Sequence, residues 1–268
     1  MNYPICIFTM HHIAPFEDEI TIYPNTLKMG LEKMLDLGYH FLSYLEFIEI
    51  LKGRKEITKK SILLTFDDGY FDLYRYGFSV LKELKIPAVC FLITDTLRDK
   101  KRENYDLPHK AHASLDYQKD LDYFLNLYEI KEMQESGLME FDSHTKTHFS
   151  CRSEDEALLR KEFLESKQKI MEIFSQRSEF GFCYPKGHFS KTALRVIKEC
   201  GYDFAFSTID GGFCKGDDIY KIRRIDISSA LKGDKDYLFK IEKKLRIYSM
   251  PYFGNLYSKF RNRKYKEG

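Results

Sequence analysis

The fold of this chain turns on Ser61–Tyr70, "SILLTFDDGY", an apolar run that ends in two adjacent carboxylates and a glycine. Neighbouring side chains of an extended strand point to opposite faces, so Asp67 and Asp68 can serve one site only if the chain bends where they stand, which Gly69 permits. In parallel β/α architectures chemistry gathers at the carboxyl ends of strands, where this pair falls. Two close carboxylates repel and push one pKa up unless a cation shares them. The stretch predicts a buried parallel strand with a cation site at its end.

The pattern extends along the chain. Short apolar runs at Ile5–Met10, Ser61–Phe66, Ala88–Ile93, Leu138–Phe141, Gly181–Tyr184, Phe204–Ser207 and Lys221–Ile225 alternate with segments of helical period, as in β/α units around a parallel sheet. Helices are expected at Asn25–Leu37, with Leu27, Leu31, Met34 and Leu35 on one face, at Glu154–Phe174 behind a Ser153/Glu156 capping box, and at Ser190–Cys200 between a serine cap and Gly201. No repeat or linker marks a boundary, so residues 1–268 are expected to form one domain. Residues 98–127 fit a surface insertion over one end of the sheet. The tail, 249–268, mixes aromatic and basic residues; packing on the barrel is expected, with weak attachment to an anionic membrane face as the alternative.

Composition excludes several classes. With 43% hydrophobic and 31% charged residues among 268, the chain can bury one substantial core. A formal charge of +2 is too balanced for nucleic-acid binding. Six cysteines without a C-x-x-C pair read as reduced core thiols. The opening "MNYPICIFTMHHIAP" lacks a basic segment and its apolar run is too short for a signal peptide or a span, so a cytoplasmic protein is expected. Serine-nucleophile elbows, P-loops and dinucleotide fingerprints are absent from the sequence. "FCKGDD", Phe213–Asp218, has no apolar strand leading into it and reads as a turn.

A second strand end supplies what a metal would need. In "FDSHTKTHFS", His144 and His148 stand four apart directly after an apolar run; on a helical turn such residues lie about 5–6 Å apart on one face. One carboxylate and two imidazoles would leave a position open for water.

"TFDDGY" (Thr65–Tyr70) followed by "SHTKTH" (Ser143–His148) resembles the first two signature motifs of the polysaccharide deacetylases, carbohydrate esterase family 4. "CYPKGHFS" (Cys183–Ser190) is similar to the family's third motif in a Tyr-Pro-x-Gly form. "KECGYDFAFSTIDG", "RRIDIS" (Arg223–Ser228) and "FTMHHIAP" resemble further segments, the last two in the branch acting on poly-N-acetylglucosamine. The resemblance, over roughly Ile5 to Ser228, implies a distorted (β/α) barrel of about seven parallel strands and removal of an acetyl group from an N-acetylated sugar. It implies Asp68, His144 and His148 as metal ligands, Asp67 as general base, Arg224 as the residue holding Asp67 ionised, and the backbone N–H of Tyr184 as an oxyanion donor. The implied cofactor is a divalent ion, zinc first by its O/N donor set, with Co²⁺, Ni²⁺, Fe²⁺ or Mn²⁺ also accommodated.

The pattern is broken in two places. No histidine follows His188 and the chain has no tryptophan, so the family's late Leu-x-His acid and its Asp-Trp motif are missing. In the branch with an early Tyr-His, that histidine does the acid's work, which makes His11 the candidate and His12 the runner-up. Lys186, near the expected pocket, could meet an anionic sugar or a phosphate. The expected function is N-deacetylation of an N-acetylhexosamine unit, the substrate a cytoplasmic glycan precursor. The alternatives are hydrolysis of other C–N bonds, as in small amides or cyclic imides, and a catalytically silent carbohydrate-binding barrel.

Overall fold

A computed structural model describes residues 3–228, 237–250 and 256–257. In chain order the elements are β1 (Ile5–Met10), the short β2 (His12–Ile13) and β3 (Thr21–Ile22), α1 (Pro24–Asp36), β4 (His40–Phe41), α2 (Tyr44–Leu51), β5 (Ser61–Phe66), α3 (Phe78–Leu84) and β6 (Ala88–Leu92). There follow α4 (Leu127–Glu135), β7 (Met139–Ser143), α5 (Glu156–Ile173), β8 (Gly181–Cys183), α6 (Lys191–Glu199), β9 (Phe204–Asp210), β10 (Ile222–Asp226) and α7 (Tyr237–Tyr248).

Seven parallel strands close into a (β/α) barrel in the order β1-β10-β9-β8-β7-β6-β5, with β1 pairing back onto β5 from Ile5–Ser61 to Met10–Phe66. The short β4 adds beside the start of β5. Because helices cover the outside and side chains fill the inside, β1 and β5 are buried at every position, which is why both read as unbroken apolar runs. Ile62, Leu64 and Phe66 face the layer under the helices. Leu63 faces inward with Ile5, Ile7, Val89, Phe91, Phe204 and Phe206, where Tyr44 and Phe47 of α2 also pack. The interior is a packed core, so chemistry is confined to its rim.

The helices differ from sequence expectation in detail. Leu35 of α1 is exposed at 41%, leaving Leu27, Leu31 and Met34 as the buried stripe. The cap of α5 is Asp155, whose side chain accepts from the Leu158 N–H, while Ser153 Oγ accepts from the Asp155 N–H; the expected Ser153/Glu156 box does not form. A carboxylate one residue from the helix satisfies the same free N–H groups and also meets the positive end of the dipole. Ser190 caps α6 as expected, and Gly201 follows at φ +74°. Five of the six cysteines are buried and free; Cys214 is half-buried.

Residues 98–127 carry short turns at His112–Ser114 and Leu121–Tyr123, are largely exposed or half-buried, and are pinned to the barrel at a few buried residues. Arg102 is buried against Glu129 at 2.6 Å, stacks over Phe71 at 3.6 Å and donates to the Phe124 carbonyl at 2.8 Å. Phe124 bridges to Tyr70, just past the paired aspartates. The segment is thereby fastened across the mouth of the barrel. In the tail, Ser249 bonds the Tyr39 hydroxyl at 3.1 Å and Tyr257 packs on Tyr248; residues 251–255 and 258–268, on which the membrane expectation rests, lie outside the described residues. No helix among the described residues is long and apolar enough to cross a membrane.

Candidate metal centre and its surroundings

The paired aspartates part company at the end of β5. Asp67 continues the strand, its N–H donating to the Met10 carbonyl at 2.9 Å, whereas Asp68 itself adopts φ +71° and Gly69 follows at +75°. The bend therefore begins one residue earlier than the glycine suggests. A left-handed aspartate is several-fold commoner than most non-glycine residues there, yet still a conformation that the surroundings must impose. At Gly69 a β-carbon would stand 2.8 Å from Leu92 Cδ2, so a side chain there would have to displace the Leu92 methyl as well as adopt a left-handed backbone.

Asp67 turns into the top of the barrel and finds a full set of donors. Arg224, only 1% exposed, grips it with two bonds of 2.7 Å and is held by Thr65 Oγ1 and the Ser207 carbonyl. Thr9 Oγ1 at 3.4 Å and the Cys183 thiol at 3.6 Å complete the shell. Burial works against the charge, but the guanidinium outweighs it and holds the carboxyl down at about 2. His11 Nε2 lies 3.9 Å away, its side chain 24% exposed, and its buried Nδ1 has no protein partner.

Asp68 faces two imidazoles. Its Oδ1 stands 3.2 Å from His144 Nε2 and 3.3 Å from His148 Nε2, is buried, and accepts no hydrogen bond. His144 Nδ1 bonds the Cys183 carbonyl at 2.8 Å, and since a carbonyl only accepts, that nitrogen carries the proton. Its Nε2 lone pair then points at a carboxylate oxygen. Two acceptors at that separation need a positive charge between them, a proton or a metal ion. Burial lowers His148 to about 4 against the pull of Asp68, leaving that imidazole neutral, the form that ligates a metal. Burial also opposes charge on His144, but Cys183, Asp68 and Asp67 outweigh it and raise its pKa. Ligand atoms of the three residues lie within 4.8 Å of one another, and the donor set of one carboxylate and two imidazoles suits a divalent ion.

The two histidines do not meet through a helical turn. His144–His148 is a loop with Thr145 at φ +67° and His148 at +60°. Glu162 of α5 shapes it, accepting from the N–H groups of Lys146 and Thr147 at 3.0 and 2.9 Å and from the Thr147 hydroxyl.

The Tyr184 N–H is engaged with the Phe206 carbonyl at 3.1 Å and its hydroxyl with the Tyr220 carbonyl, so it offers no free donor to an oxyanion. His12 points away from Asp67: its Nδ1 pairs with Asp72 Oδ2 at 2.5 Å, its ring stacks on Tyr70 at 3.7 Å, and its Nε2 meets His112 Nδ1 at 3.3 Å. Burial opposes a charge on His12, but Asp72 overcomes it and raises its pKa. His188 is a half-buried rim residue.

Cys183, Thr9, Thr65, Asp72, His112 and Tyr117 all stand in this site without having been singled out from sequence. Thr9, Thr65 and Cys183 lie inside the quoted motifs and Asp72 just after one; His112 and Tyr117 come from the insertion and carried no signal.

A seven-stranded parallel barrel bearing a carboxylate and two imidazoles at its C-terminal mouth, with a second carboxylate clamped alongside, defines the class. A family model described as polysaccharide deacetylase matches residues 54–205, and the chain belongs to that family. It is 28% identical over 195 residues to the poly-beta-1,6-N-acetyl-D-glucosamine N-deacetylase of Staphylococcus aureus (strain MRSA252), covering 70% of this chain and 61% of that protein. Among solved structures, IcaB from Ammonifex degensii aligns with a TM-score of 0.72 at 21% identity, over 91% of this chain and 97% of that one. Streptococcus pyogenes PplD in complex with acetate aligns with a TM-score of 0.71 at 23% identity, over 92% and 98%. Both share the fold.

Proposed function

We propose that the chain is a metal-dependent hydrolase that removes the N-acetyl group from an N-acetylhexosamine unit of a glycan or glycan precursor. The observation that carries this reading is the buried Asp68 Oδ1, without a hydrogen bond and faced by two imidazole nitrogens at 3.2 and 3.3 Å, beside a second carboxylate already neutralised by Arg224. Asp68, His144 and His148 hold the ion. A divalent ion held there, zinc first by the O/N ligands, would supply Lewis acidity to the acetyl carbonyl and would lower the pKa of water from 15.7 towards about 7. Asp67, kept ionised and oriented by Arg224, takes the proton as water attacks. His11, whose Nε2 lies 3.9 Å from Asp67 Oδ2, gives a proton to the departing amine.

The family match and the similarity to a poly-N-acetylglucosamine deacetylase support the substrate class. Acetate release from a panel of N-acetylated oligosaccharides tests it. Wild type should release acetate and Asp67→Asn should lose about 10²–10⁴-fold while retaining metal. Equal rates in the two would remove Asp67 as base, and bound metal without release from any member would favour a silent binding barrel.

A further inference from the structure

The loops around the candidate centre carry a second set of features that hydrolysis itself does not use. The chain after β8 turns at Lys186 and Gly187, both left-handed at φ +57° and +67°. Thr208 fixes that turn: its Oγ1 donates to the Lys186 carbonyl at 3.2 Å, and a β-carbon on Gly187 would stand 2.1 Å from the same oxygen. Glycine explains itself there, but lysine in a left-handed conformation is strained, and strain held by the surroundings is a pointer to function. Its side chain is exposed and has no acidic partner among the described residues.

The neighbouring loop is bound to this one. The Ser190 N–H donates to the Cys151 carbonyl at 2.8 Å and the Ser190 hydroxyl to the Ser153 carbonyl at 2.8 Å. Arg152 sits between those two acceptors, exposed and likewise without an acidic partner among the described residues. The half-buried His188 feels both cations: burial first, then Arg152 and Lys186, lower its pKa. Two unneutralised cations therefore share one side of the mouth.

An aromatic wall forms another. Tyr117, from the insertion, places its half-buried ring 4.7 Å from that of His148 and 5.7 Å from that of Phe124. Such a flat apolar face beside a polar centre suits a pyranose ring.

Resting on the deacetylase reading, we propose that the substrate is an anionic glycan: a sugar of the chain stacks on Tyr117 beside the metal ligands while a phosphate or carboxylate substituent is taken by Lys186 and Arg152. A cationic rim repels a chain that accumulates free amines and attracts one with negative charge between its acetylated units. The groove therefore selects against polymers that become purely cationic as they are deacetylated.

Binding of three matched N-acetylglucosamine oligosaccharides, one neutral, one phosphate-bearing and one carboxylate-bearing, to the full chain tests this by calorimetry. The anionic pair should bind about tenfold more tightly than the neutral one, with the advantage shrinking at high salt. In the Lys186→Asn, Arg152→Gln double variant the ratio should fall towards one; asparagine tolerates the left-handed backbone, so the fold is kept. Lys186→Arg should preserve the ratio, and Tyr117→Ala should weaken all three ligands while Tyr117→Phe does not. An advantage for one anion alone identifies the substituent. Equal affinities, or a preference untouched by the double variant, would overturn the proposal. Binding does not require turnover, so charge preference without acetate release would sink the deacetylase reading and leave the groove, and release without preference would do the reverse.

Discussion

Asp67 and Asp68 are neighbours in sequence and equally buried, yet the molecule treats them in opposite ways. Around Asp67 the protein supplies Arg224 twice, Thr9 and a thiol, a carboxylate neutralised from within. Around Asp68 it supplies two imidazole nitrogens and leaves Oδ1 without a hydrogen bond. Buried polar atoms are nearly always satisfied, so a gap of this kind marks a place kept for something from outside. The saturated carboxylate is suited to moving a proton and the unsaturated one to holding an ion.

The widest separation between the two halves should come from His148→Ala. Loss of one of three candidate ligands removes several kcal/mol of carbonyl polarisation, so acetate release should fall by about a thousandfold or more, with the thermal midpoint of the metal-free protein little changed. A rate within tenfold of wild type would take His148 out of the centre.

Arg224→Met acts on the other half and should show as stability. It leaves a buried carboxylate unpaired, a change that costs about 3–5 kcal/mol. The sign with pH follows from the depressed pKa of Asp67, about 2 in the fold against 3.8 ordinarily. The pair's contribution is complete above pH 3.8 and is lost as pH falls towards 2, so the gap between wild type and variant should be large at pH 7 and narrow below pH 4. A gap independent of pH would mean that Arg224 serves only as packing. His11→Ala should slow turnover by about 10²-fold while His12→Ala, which breaks the stack with Tyr70 and the bond to Asp72, should act mainly on stability. The reverse pattern would exchange their roles. Smallest is Ser190→Ala, which removes the Ala193 N–H acceptor at the start of α6 and the donor to the Ser153 carbonyl, for about 1–2 kcal/mol, with acetate release little changed.

The barrel was legible because parallel strands buried on both faces write themselves as apolar runs, and the site because each motif follows such a run directly. What the sequence could not show is how the loops achieve convergence. His144 and His148 meet through left-handed backbone at Thr145 and His148, shaped by Glu162 on a helix that begins eight residues after His148. A spacing of four suggested a helical turn because that is the commonest way to bring such residues together. The engagement of the Tyr184 N–H by Phe206 depends on where β8 and β9 stop pairing, which no local pattern encodes. His112 and Tyr117 were hidden for another reason: residues 98–127 lack periodicity, and their inward fastening runs through Arg102, paired with Glu129 and stacked on Phe71, and through the Phe124–Tyr70 bridge. Cys183 reads as an ordinary core thiol until the fold turns it towards Asp67.

Metal titration of the full chain, in wild type and in Asp68→Asn, bears most directly on the idea that one carboxylate is kept for an ion. The wild type should bind one equivalent of Zn²⁺ with release of protons and Asp68→Asn should lose most of that affinity, whereas Asp67→Asn should retain it. Undiminished binding in Asp68→Asn, or none in wild type, would contradict the account.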